Sequence, residues 1–159
     1  MNLKSLLLST TTVFALAAAP FSVSHALFDK TRFALHLGAA YYAFHRWDLQ
    51  PFKKGEFSAG APGRVGNIVK AGAALLFASH EVSVARKIAS TSKSPLLQKL
   101  DAGLNSLSGE MTAIGTQLKG GQLPVAGLQK LNADTESFKT QAAAAGQPIK
   151  DVATSIGTF

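Results

Sequence analysis

Residues 94–121 read SPLLQKLDAGLNSLSGEMTAIGTQLKGG, and the fold class turns on them. Leu97, Leu100, Leu104, Leu107, Met111, Ile114 and Leu118 follow one another at alternating steps of three and four. Residues so spaced share one stripe of a helix, the seam of a coiled-coil-like packing face. Ser94 and Pro95 suit a helix start, a hydroxyl cap followed by a residue whose fixed φ fits the first turn, and Gly120-Gly121 suits its end. The spacing resumes from Pro124 with Leu128, Leu131, Thr135, Phe138, Ala142 and Ala145, and Gly146 and Pro148 close it in the order expected of a helix C-terminus. A helical pair over 94–146 is therefore expected.

One pattern competes with helices. Gly103, Gly109, Gly115, Gly121 and Gly127 recur every six residues, and a hexapeptide period also marks β-solenoids. That fold needs a large aliphatic residue at each inward position. Of Ala102, Ser108, Ile114, Gly120 and Ala126, which precede these glycines, only Ile114 qualifies. The helical reading stands, but each glycine inside the third helix costs about 1 kcal/mol relative to alanine, so that helix depends on tertiary contact.

Upstream, residues 64–90 carry two adjacent stripes, Ile68, Gly72, Leu75, Ser79 and Val82 beside Val69, Ala73, Leu76 and His80. The uncharged run Ala71 to Ser79 is too short to span a bilayer, so a buried helix is expected. Residues 30–47 place Phe33, Leu37, Ala40, Phe44 and Trp47 on one face and Leu35, Ala39 and Tyr42 on the other. A helix apolar nearly all round is central, paired with another chain, or laid in a membrane surface. Between these helices, 49–63 holds two prolines and three glycines and is long enough for a connector with a role of its own. The expectation is an all-α protein, a small helical bundle of three to four helices after an N-terminal signal peptide. Its parts are a signal peptide over 1–26, a single helical domain over 27–148, and a C-terminal tail over 149–159. The domain divides into a basic aromatic pair, 27–92, and the heptad-like pair, 94–146.

Residues 1–26 read as an address. Lys4 supplies the positive charge, Leu6 to Ala19 an apolar stretch interrupted by hydroxyl residues, and Ser24-His25-Ala26 places small residues at −3 and −1 of a cut before Leu27. An uncleaved anchor is the rival, but the stretch is shorter than the roughly 20 residues a span needs. The chain is thus expected to be exported, periplasmic or secreted, with no stable transmembrane span after cleavage. It has no cysteine, which excludes a disulfide scaffold, a thiolate metal site, a c-type haem attachment and a lipid-modified cysteine. Export without disulfides points to a bacterial envelope.

Charge is uneven. The chain carries a net +7, and charged residues make up 16%, below the quarter usual in soluble domains. Residues 27–99 hold eleven basic and four acidic residues, whereas 100–159 hold four and five. The aromatics cluster in the same basic half. The residues expected to meet an anionic surface are Arg46, Trp47, Phe52, Lys53, Lys54, Phe57 and Arg64, with rings at an interface and cations on head groups. The partners so implied are anionic lipid, an anionic envelope polymer, another envelope protein, or a second copy of the chain. Stacking on nucleic acid has the same ingredients, but export argues against it.

Catalytic motifs are missing. The chain has no Gly-x-Ser-x-Gly elbow, phosphate loop or dinucleotide glycine fingerprint. His80-Glu81 opens like a zinc-protease motif, but its second histidine position is Val84. His36 and His80 are the candidates for a metal or haem. If the first two helices form an antiparallel hairpin, positions whose numbers sum to about 111 face each other. His36 then lies opposite Leu75 and His80 opposite Thr31, roughly 7 Å out of level. The expectation is no metal, no cofactor and no enzyme. The alternative function is a periplasmic carrier of an apolar ligand or haem between the first two helices.

Overall fold

The computed structural model describes residues 20–156, and every regular element among them is helical. Most of the expected signal peptide, residues 1–19, lies outside the described residues, as does the end of the expected tail, 157–159. Helix α1 spans Pro20–Phe44, a π-helical turn spans His45–Leu49, and α2 spans Gln50–Lys53. Then follow α3 (Arg64–Thr91), α4 (Pro95–Gln98), α5 (Asp101–Lys119) and α6 (Val125–Ala144).

Helix α3 is the centre, with α1 along one side and α5 along the other. Its buried residues are mostly small, Ala71, Gly72, Ala74, Ala78, Ser79, Ala85 and Ala89 among them, because two helices flank it at close range. Of the described helices, α3 alone is long and apolar enough to cross a membrane, and half of that apolar window is buried inside the fold. At the crossing with α5 the backbones touch. A Cβ on Gly72 would stand 2.8 Å from Gly115 O and 2.9 Å from Leu118 C. Beyond the crossing, hydroxyls join the helices. The Ser79 hydroxyl donates to Ser108 O at 2.9 Å, Ser79 Oγ lies 2.6 Å from Thr112 Oγ1, and Ser83 Oγ lies 2.7 Å from Ser108 Oγ.

The seam of α5 is buried at Leu104, Leu107, Met111, Ile114 and Leu118. The expected third helix is interrupted after Gln98, where the Leu100 N–H donates to Leu97 O and tightens the end of α4 to a 3₁₀ turn. Leu97 and Leu100 remain buried, so the seam crosses the break. The six-residue glycine period divides into two sets. Gly103 meets Phe138, Gly115 meets Gly72 and Gly127 meets Ile114, whereas nothing stands within 4 Å of a Cβ on Gly109 or Gly121. The contacts recur every second glycine, but two of them join α5 to α6 and the one between joins α5 to α3, which is not a repeat.

Helix α6 packs on α5, and the buried Tyr41 hydroxyl donates to Thr135 O at 2.6 Å, tying α1 to α6. Burial pushes the Tyr41 phenol above its ordinary range. After Gly146 (φ +75) the chain runs back along α1. The Val152 N–H donates to Gly38 O at 2.9 Å, and Ile149 and Ile156 are buried. Only glycine fits at position 38, since a Cβ there would lie 2.5 Å from Lys150 O.

Two differences concern α1. It starts at Pro20, well before the expected Lys30, and runs unbroken through the Ala26–Leu27 junction. At its other end the helical path continues through the π turn and α2 to Lys53, past the expected end at Trp47. The connector shrinks to 54–63, a string of hydrogen-bonded turns rather than an open loop. Ending the helix six residues later moves the midpoint of the hairpin, and the facing register shifts with it. His36 Nδ1 lies 2.7 Å from Glu81 Oε2, so 36 faces 81 and not 75.

Candidate functional site

Proline explains the local structure of the candidate site. Pro51 has no N–H to return to the preceding turn, and its ring crowds the carbonyl four residues back. Ahead of it the ladder widens to i→i+5, with the Gln50 N–H donating to His45 O. Such single widened turns insert one residue into a helix and re-aim the side chains on either side. Here the insertion puts Asp48 inward, leaves Arg46 exposed beside Lys54, and leaves Trp47 half-buried between them and the core.

A pocket of about 290 Å³ forms there, lined by Arg46, Trp47, Pro51, Lys54 and Glu56 from this segment and by Asn67 and Lys70 from α3. Three cations face one carboxylate. The Arg46 guanidinium lies 4.9 Å from the centre of the Trp47 ring, a cation–π contact. The indole Nε1–H of Trp47 is buried without an acceptor.

The seven residues expected to form the binding face are split by the fold. Arg46, Trp47 and Lys54 come together in this pocket. Lys53 lines a different cleft of about 450 Å³, together with His45, Glu136 and Asp151. Phe57 is 1% exposed and belongs to the core. Phe52 is half-buried and packs on it at 6.5 Å between ring centres. Arg64 donates from Nε to Phe57 O at 2.8 Å and so holds the connector. The sequence reading missed Lys70 and Asn67, which lie on α3 and reach the pocket through the hairpin register.

His36 and His80 are not brought together. His36 pairs with Glu81, while His80 is exposed. Among the described residues no group of three or more histidines and acids is placed to hold a metal ion. His45 is tied to the C-terminal segment, with Nδ1 2.7 Å from Asp151 Oδ2 and Nε2 3.9 Å from Glu136 Oε1. A separate polar pocket of about 300 Å³ lies between α5 and α6. Its lysine is already engaged, since Lys130 Nζ donates to Glu110 Oε1 at 2.7 Å and to Asp134 Oδ2 at 2.5 Å. The bond from Lys130 holds the Asp134 carboxyl below its usual range.

The sharpest anomaly is Asp48. It is fully buried in the π turn, and neither carboxylate oxygen has a donor. Burial pushes its pKa well above the usual carboxylate range and so favours the neutral acid. No protein-family model, curated protein or solved structure matches this chain.

Proposed function

We propose that this protein is an exported, non-enzymatic binding protein of the bacterial envelope, a bundle of three to four main helices that meets an anionic lipid surface or envelope polymer. The observation that carries the reading is the Arg46–Trp47–Lys54–Lys70 pocket, where cations outnumber acids three to one beside an indole. Cations within a Debye length of an anionic surface each contribute about 1 kcal/mol, and an amphipathic ring adds a part that salt does not screen. The export part rests on residues 1–26; cleavage before Leu27 removes the first turns of α1 and leaves Leu27 at its start.

Sedimentation with anionic and neutral vesicles, at low and moderate salt, tests the reading. The protein is expected to pellet with anionic vesicles, less so as salt rises. Lys54→Glu with Lys70→Glu should abolish pelleting, while Lys53→Glu should change it little because Lys53 lines a separate cleft whose other lining residues include Glu136 and Asp151. Equal recovery in the supernatant with both vesicle types, and with an anionic polysaccharide, would overturn it.

A further inference from the structure

The alternative reading places a carrier site between the first two helices, where His36 Nδ1 lies 2.7 Å from Glu81 Oε2. A different groove lies at the far end of α1. It has a volume of about 570 Å³ and runs between α1 and the returning segment 146–152. The two segments touch at Gly38, where the missing side chain lets Val152 and the Lys150 carbonyl come close. The groove opens on the N-terminal side of that contact.

Its floor is apolar. Leu27, Ala34 and Leu35 come from α1, at helical spacing, and Pro148 and Val152 from the opposite wall. Leu27 is 60% exposed and Leu35 51% exposed, so aliphatic surface is left open that the fold had partners enough to cover elsewhere. Lys30 stands on one wall and Lys150 on the other, and no acid lines the groove. Asp151, next to Lys150 in the chain, is held by His45 instead. The volume falls in the range of small-ligand sites, which are mostly apolar with a few polar groups that fix orientation.

We infer that this groove binds the acyl chain of a single anionic amphiphile, with the carboxylate or phosphate head between Lys30 and Lys150. Charge complementarity selects the occupant: an apolar floor alone would accept any aliphatic chain, and two facing lysines without an acid reject a cationic head. The site does not rest on the surface reading above. Lys30 is sixteen residues from Arg46 along the helix, about 24 Å at 1.5 Å per residue.

The test is calorimetric titration of the full chain with dodecanoate below its critical micelle concentration, against dodecyltrimethylammonium as the cationic match. Dodecanoate is expected to bind at one site, at least about tenfold more tightly than the cationic probe. Lys30→Glu with Lys150→Glu should reverse that preference, and Ala34→Trp should remove binding of both by filling the floor, with far-UV circular dichroism unchanged. Lys54→Glu with Lys70→Glu should leave dodecanoate binding intact, which separates this site from the vesicle-binding face. No binding of dodecanoate, equal binding of the two probes, or a preference untouched by the charge reversal would overturn the inference. So would vesicle binding lost with Ala34→Trp in a protein that ignores monomeric dodecanoate, which would return Leu27 and Leu35 to a bilayer contact.

Discussion

Along α5 the residues turned inward are Leu104, Leu107, Met111, Ile114, Gly115 and Leu118, and the hydroxyls at the edge of that face find partners across the crossing with α3. Along His45–Leu49 the residues turned inward include an aspartate and the indole N–H of Trp47, and neither has a partner. Both regions are helical, and both turn part of their surface into the fold. A buried polar group without a partner costs about 1–3 kcal/mol, so the π turn weakens the fold where α5 strengthens it. Local violations of this kind concentrate at working sites, and this one adjoins the cationic pocket.

Truncation on the α5 side should have the largest effect. Leu104→Ala is expected to cost about 2–5 kcal/mol in a urea melt, since the side chain is fully buried. A loss below 1 kcal/mol would mean the seam does not hold the fold. Gly72→Ala tests the crossing itself. The new methyl meets backbone from Gly115 to Lys119 that has no rotamer to change, and the expected cost is about 1–3 kcal/mol.

The π turn is tested by pH. The unfolded chain releases the Asp48 proton in the ordinary aspartate range, while burial makes the folded chain keep it to higher pH. The stabilising contribution of the neutral acid is therefore complete below the ordinary range and is lost as pH rises toward the folded pKa. Within that window stability should fall by up to about 1.4 kcal/mol per pH unit. Asp48→Asn should flatten that slope when denaturation midpoints are compared from acid to neutral pH; an unchanged slope would place its origin elsewhere. The smallest effect belongs to Gly109→Ala. Nothing stands near that position, so replacing an interior helical glycine should stabilise by about 0.5–1 kcal/mol, opposite in sign to Gly72→Ala. Equal signs at the two glycines would show that close approach is not what distinguishes them.

The helices were legible where periodicity is strong and punctuation clear. Residues 64–90 were expected as one helix and form Arg64–Thr91; the stretch from Pro124 to Gly146 was expected as another and forms Val125–Ala144. The site was less legible. Arg46, Trp47 and Lys54 were expected together and are, but Lys70 was invisible as a partner because its place depends on register. Phe57 was expected at a surface and lies in the core, since composition says that a ring will be buried or bound without saying which.

The sequence by itself determined that this chain is helical, that its α5 face is apolar on one stripe, and that its basic and aromatic residues gather before residue 100. Those properties follow from spacing along a single chain, where i, i+3 and i+4 neighbours are set by helix geometry alone. The tertiary structure decided what no spacing contains. It set the shift that pairs His36 with Glu81, the backbone contact at Gly72 and Gly115, the return of residues 147–156 onto Gly38, and the burial of Asp48. Each of these depends on where a second segment comes to rest. That place is settled by a few small residues and one proline-driven turn, each too local to show as a pattern.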